Sequence, residues 1–311
     1  MSVLDTPEAQ ALLKEAEVTS EAVAGCQRHL TGFLERYLPL FYRKEQRGNA
    51  RIVVEGLLSD LERKTCEPIA YRNGLHRKPV QFFVGRGKWD DEAVMGEVRR
   101  HVAEALADKD GVLVIDPSSF PKKGEASCGV KRQWCGRLGK VENCQLGVFL
   151  AYASERGHGP LDRRLYLPEE WAQDPRRRKL CHVPQGVPFA KSWQIAIDMI
   201  GRCAAIPHGW VAADDEFGRA GEFRDWLTGK CERYVLDVPS NTLVRDLNAR
   251  RPRRAKAGAG RKRVGAFRRA DAWAARQPKD TWTRFNIRDG ELVPLAVEAV
   301  STRVLTKREG R

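Results

Sequence analysis

Apolar positions in the first third of the chain recur at helical spacing. Over 50–65, Val53, Leu57 and Leu61 repeat every four residues with Val54 and Leu58 beside them. That spacing predicts a helix with one buried stripe. Over 90–107, Val94, Val98, Val102 and Leu106 form a second such row. Asp90 and Asp91 open it, where negative charge suits the helix dipole. Residues 7–17 and 20–37 have helix-forming composition. Between these helices, 72–89 is basic and holds Phe82, Phe83 and Trp89. These rings read as packing between helices; a DNA-facing segment is the competing reading.

The period shortens after Gly111. VLVID (112–116) is a short apolar run closed by Pro117, as expected of a buried strand. A Gly-rich, basic loop follows, then strands at 144–154 and 163–168. Residues 169–191 are polar and Pro-rich and read as loop. A helix over 192–206 opens at a Ser192 cap. WVAAD (210–214) is a strand, 218–230 a helix and 233–238 a strand. The order β, β, β, α, β, α, β predicts a mixed α/β layer in which two strands end in aspartate. Further on, TWTRFNI (281–287) and ELVPLAVEAV (291–300) flank Asp289-Gly290, a hairpin signal.

The 311 residues leave room for one large or two ordinary domains. With 42% hydrophobic residues the chain is globular rather than a disordered basic tail. No apolar run approaches the roughly 18 residues of a spanning helix. The acidic, amphipathic N-terminus lacks the pattern of a secretory signal. The eight cysteines include no C-x-x-C pair, and Cys181-His182 has no second ligand pair at zinc spacing. Reduced thiols in a cytoplasmic compartment are the expectation. Lys plus Arg is 55 against 41 Asp plus Glu, a net charge of +14. That excess points to a polyanion, most often nucleic acid. It is concentrated: 250–269 holds ten Lys or Arg and no acid. Arg250, Arg251, Arg253, Arg254, Lys256, Arg261, Lys262 and Arg263 in that stretch read as a phosphate-binding arm rather than a solvated linker.

Asp116 follows VLVI and Asp214 follows WVAA. A strand-terminal Asp often only caps a turn. Two of them on neighbouring strands make an oxygen-rich site suited to Mg²⁺ or Mn²⁺. A pair of such metals activates water and stabilises the leaving oxygen of a phosphodiester. Lys122, Lys123, Lys131 and Arg132 follow the first Asp, where they read either as phosphate contacts or as a solvated loop.

Residues 112–154 resemble the first catalytic block of DDE-superfamily insertion-sequence transposases. The resemblance lies in an apolar strand ending in Asp, Phe-Pro-Lys-Lys-Gly at 120–124, Gly-Val-x-Arg-Gln-x-Cys-Gly at 129–136 and Asn-Cys-Gln at 143–145. Residues 164–184 resemble the group's Leu-Tyr-Leu-Pro-x-x-Trp segment, and 210–218 its Ala-Asp-x-x-Tyr/Phe-Gly block. The resemblance covers nearly the whole chain. It implies an α/β fold with an RNase H-like mixed sheet, strand order 3-2-1-4-5. An N-terminal helical, DNA-binding domain (1–108) would precede the core (109–238). A basic arm and β-rich insertion (239–311) would follow it. It also implies DNA cleavage and strand transfer at element ends, a nucleoid-associated location and multimer formation. Asp116 and Asp214 take the places of two catalytic metal ligands. Pro117 stands where an acid is frequent, and Asp215 and Glu216 replace small residues. The family's third ligand is a Glu on a later helix. Glu291 and Glu298 fall in the hairpin and Glu309 near the last residue, so none matches it. The expectation is therefore a site short of one carboxylate, in an impaired transposase or a non-catalytic DNA-binding derivative.

Overall fold

The computed structural model describes residues 6–249, 265–288 and 295–307. The chain divides into two compact units, 1–105 and 106–311. Among the described residues no helix is long and apolar enough to cross a membrane.

The first unit is helical: α1 (Pro7–Glu15), α2 (Ser20–Tyr37), α3 (Lys44–Leu58), α4 (Cys66–Arg72), α5 (Arg77–Gly85) and α6 (Asp91–Leu106). Thr6 and Thr19 cap α1 and α2 through side-chain bonds to Ala9 and Ala22 amides. The helix expected over 50–65 stops at Leu58. The Ser59 amide and hydroxyl both bond the Gly56 carbonyl, which competes with continuation. Leu57 and Leu58 are exposed rather than part of a buried stripe, and Gly56 faces α4 instead. A Cβ at Gly56 would lie 2.6 Å from the Ile69 side chain, so glycine lets the two helices close up.

Within the basic segment 72–89, residues Arg77–Gly85 fold into α5. Adjacent residues on a helix point about 100° apart, so only one of two neighbouring rings can face inward. Phe83 is buried with Phe41 and Ala50, and Trp89 packs against them. Their ring centroids lie 5.5–6.0 Å apart. Phe82 is 61% exposed, against the expectation of core packing.

The second unit is built on a mixed sheet. Its strands are β1 (Val112–Pro121), β2 (Lys131–Cys135), β3 (Lys140–Ser154), β4 (Gly157–Leu165), β5 (Trp210–Ala213) and β6 (Tyr234–Leu236). Their order is β2-β3-β1-β5-β6, with β4 also on β3. The long β3 pairs β2 along its first half and β4 along its second. β1, β5 and β6 are parallel; β1, β2 and β4 run antiparallel to β3. One face is dry: Leu113 and Ile115 of β1, Val148, Leu150 and Tyr152 of β3 and Val211 of β5 are buried. Helix α9 (Ser192–Arg202) packs on β3 and β4 and carries buried Ile195, Ala196, Met199 and Ile200 on one side. Helix α11 (Gly221–Gly229) packs on α9.

Several boundaries differ from expectation. β1 runs on past Asp116 and Pro117 to Pro121, because β3 pairs it along its whole length. Pro117 is tolerated where β5 has already ended and β1 has only one neighbour. β2 occupies part of the expected loop. The loop expected at 169–191 contains two short helices, α7 (Glu169–Ala172) and α8 (Pro175–Leu180). Trp171 is buried there, its Nε1–H bonded to the Val130 carbonyl at 2.8 Å. Helix α10 (Asp215–Gly218) intervenes after β5.

Beyond 238, β7 (Leu243–Asp246), β8 (Arg268–Arg269) and β11 (Val304–Thr306) form a three-stranded sheet, with α12 (Ala270–Ala274) after β8. β9 (Thr283–Arg288) and β10 (Leu295–Ala299) pair antiparallel, as a hairpin requires; its Asp289-Gly290 turn lies outside the described residues. So do all eight arm residues, Arg250, Arg251, Arg253, Arg254, Lys256, Arg261, Lys262 and Arg263.

Candidate functional site

The parallel register places the two aspartates side by side. The last β1·β5 pair is Ile115 with Ala213, and Asp116 and Asp214 are each the next residue. Side chains alternate across a strand, so both leave the sheet on the face opposite buried Leu113, Ile115 and Val211. Asp116 is exposed, yet partial burial of its carboxyl raises its pKa above the ordinary carboxylate range. Burial raises Asp214 too; the nearby charges of Asp116 and Asp215 add to this, and the Glu216 and Phe217 amides offset part of it.

Asp214 has a second, structural role. Its Oδ1 accepts the Glu216 N–H at 3.0 Å and caps α10. The Phe-Gly that follows anchors this turn. Phe217 is fully buried against Phe223, ring centroids 5.8 Å apart. A Cβ at Gly218 would stand 1.7 Å from the Asp237 carbonyl oxygen, so no side chain fits.

The two acids after Asp214 diverge. Asp215 bonds Arg219 at 2.6 Å. Glu216 turns inward, where burial raises its pKa, the Ser192 side chain bonds it and counteracts the rise, and Asp214 adds to it. Ser192 is therefore not the expected cap of α9. It is the first helical residue, while Lys191 occupies the cap position and bonds Gln194 through its amide. No spacing rule pointed to the Ser192–Glu216 contact, since the pair meets only in the folded chain.

The motif after Asp116 also acquires a physical reason. Asn143 Nδ2 donates to the Lys122 and Gly124 carbonyls at 2.9 and 3.0 Å. Gln145 Nε2 donates to the Cys128 carbonyl at 2.6 Å. Asn-Cys-Gln thus pins the Phe-Pro-Lys-Lys-Gly loop to the sheet. Lys122, Lys123 and Arg132 are exposed. Lys131 instead bonds Glu170, Nζ to Oε2 at 2.6 Å. Cys181 Sγ lies 3.4 Å from the Ala126 carbonyl, at the far end of the same loop.

Among the described residues, no three His, Cys, Asp or Glu side chains converge well enough to share a metal ion. Glu298 stands opposite Arg284 in the β9·β10 ladder, in a different sheet from Asp116. Glu291 and Glu309 lie outside the described residues.

A family model described as DDE superfamily endonuclease matches residues 36–293, most of the chain. The chain belongs to the DDE superfamily endonucleases. A probable transposase for insertion sequence element IS701 from Microchaete diplosiphon is 28% identical over 193 residues. That match takes in 61% of this chain and 48% of the relative, so the chain spans about half the length of the transposase it matches. Both aspartates, the pinned loop and the Phe-Gly turn fall inside the region matched by the endonuclease family.

Proposed function

We propose that this chain is a transposase-type DNA nuclease and strand transferase of insertion-sequence ends, with Asp116 and Asp214 as its metal-holding carboxylates, impaired because no third carboxylate joins them among the described residues. The observation that carries the reading is the parallel register, which sets these two residues side by side one position beyond Ile115 and Ala213. Family membership and the transposase relative support it. So does the strand order, since β4-β3-β1-β5-β6 corresponds to the 3-2-1-4-5 of an RNase H-like core. In this reading 1–108 is a helical DNA-binding domain, 109–238 the core, and 239–311 the basic arm and β-rich insertion.

Two adjacent, partly desolvated carboxylates suit a hard divalent cation, Mg²⁺ or Mn²⁺. Such an ion supplies Lewis-acid stabilisation of charge on the phosphodiester and lowers the pKa of a bound water. The chain's own part is positional. The α10 cap holds Asp214 in one rotamer, and the pinned loop presents Lys122 and Lys123 for phosphate contacts. Arg132 and the Lys and Arg residues of 250–269 would add further phosphate contacts.

The test is nicking of supercoiled plasmid DNA with Mn²⁺. The wild-type chain, lacking a third ligand among the described residues, is expected to nick it slowly. Asp116→Asn and Asp214→Asn should each lose more than about a hundredfold, the upper range for removing even an outer-shell partner of a metal ligand. Binding of the same DNA should persist. Wild-type binding with no metal-dependent nicking would instead leave a DNA-binding derivative, and nicking that survives both substitutions would move the chemistry elsewhere.

A further inference from the structure

The face of the sheet that carries Asp116 continues well beyond it. The β1·β3 and β2·β3 ladders run without a register shift, so directly opposed residues share a face. Asp116 opposes Phe149, Ser118 opposes Gly147 and Phe120 opposes Gln145. Further along the same face of β3, Asn143 opposes Arg132 and Val141 opposes Trp134. Contacts agree with this: Phe120 and Phe149 have ring centroids 6.2 Å apart, over Gly147. One track therefore leads from Asp116 to Trp134. Val141 and Phe149 are eight residues apart on β3, about 26 Å at the usual strand rise.

The far end of the track is a projecting hairpin with an apolar tip. Trp134 is 62% exposed, Val141 52% and Leu138, in the turn, 46%. Indole is costly to leave in water, and three such neighbours at a hairpin tip are more than scattered exposure. Charge around the tip is one-sided: residues 120–143 hold six Lys or Arg and two Glu. Lys131 and Lys140 are paired with Glu170 and Glu142. Lys122, Lys123, Arg132 and Arg137 form no ion pair among the described residues. An acidic or purely apolar partner would leave either the tip or the cations unused.

We infer that the β2–β3 hairpin is a DNA-holding element in which Trp134 stacks on an unpaired base while Arg132 and Arg137 contact the flanking phosphates. The inference rests on the DNA-nuclease reading above and names a surface that the carboxylates do not supply. A flat aromatic face flanked by guanidinium groups suits stacking on a base that is free of its complement. The loop bearing Lys122 and Lys123, pinned by Asn143 and Gln145, lies between the tip and Asp116. A strand following the track would meet cations along its length.

The experiment uses the full chain with Ca²⁺ in place of Mn²⁺ and reads anisotropy of a fluorescein-labelled duplex. A second duplex of the same sequence carries a short unpaired bubble. The wild-type chain should prefer the bubbled duplex. Trp134→Ala should weaken binding to it about five- to a hundredfold, the range that removing one base–aromatic stack produces. Binding to the paired duplex should barely change. Trp134→Phe keeps a stacking face and should keep the preference, and thermal melts confirm that each variant is folded. Paired Arg132→Ala and Arg137→Ala should weaken both duplexes and flatten the salt dependence. If wild type binds DNA and Trp134→Ala binds the bubbled duplex equally well, this inference falls and the nuclease reading stands. If wild type binds neither duplex, both fall.

Discussion

At the scale of single residues, polar atoms in dry places have the largest leverage. The buried Tyr152 hydroxyl accepts the Asp108 N–H at 2.8 Å and lies 2.7 Å from the Pro207 carbonyl, which its proton can reach. It ties the loops before β1 and β5 to β3. Tyr152→Phe leaves those backbone groups unpaired and should cost about 1–3 kcal/mol, measured by urea unfolding. The carboxylates behave in the opposite sense. Asp116, Asp214 and Glu216 are all raised above the ordinary range, chiefly by burial. A raised carboxyl binds its proton more tightly in the folded chain. Its contribution to stability is therefore fully present at acid pH and is lost as pH rises through the raised value. Without metal, Asp214→Asn should melt above wild type at neutral pH. The difference should close as pH falls below about 4, the ordinary Asp range. Asn still caps α10, so the cap is not the variable. Melting curves across pH check this, and a wild-type chain more stable than the variant at neutral pH would count against it.

At the scale of elements, the turn after β5 depends on Gly218. A methyl group there would overlap the Asp237 carbonyl, and backbone cannot swing aside as a side chain can. Gly218→Ala should destabilise by about 1–3 kcal/mol or more, as overpacked sites do. It should also displace Asp214, lowering nicking even at temperatures where the chain stays folded. Circular dichroism and the plasmid assay together separate the two effects. The sheet of β7, β8 and β11 is tied by Asp246 in a similar way. Burial alone would raise this carboxyl, but bonds from Trp273, Asn248, Thr302 and Ala249 hold it below the ordinary range.

At the scale of the whole molecule, charge is unevenly shared. Ten Lys or Arg without an acid lie in 250–269, against a net charge of +14 for the chain. Replacing Arg250, Arg251, Arg253, Arg254, Lys256, Arg261, Lys262 and Arg263 by Gln should weaken DNA binding irrespective of sequence. For every phosphate that the arm neutralises in the wild type, the slope of log K against log salt should become shallower by about 0.9. A titration of affinity against NaCl measures it, and an unchanged slope would assign the arm another role.

Local chemistry was legible wherever a few adjacent residues decide the outcome. The strand at 112–115 and the helix at 91–106 follow from apolar period and capping alone. Elements set by distant partners were not legible. β2 reads as basic loop until β3 offers it a ladder, and Phe82 and Phe83 look alike until α5 turns one outward. By itself the sequence determined that two aspartates follow apolar strands and that ten Lys or Arg cluster without an acid in 250–269. Only the tertiary structure decided that Asp116 and Asp214 are neighbours, that Glu216 turns toward Ser192 and that Trp134 shares a face with Asp116. Strand register is a long-range property, chosen by which faces can be buried together, and no local pattern encodes it.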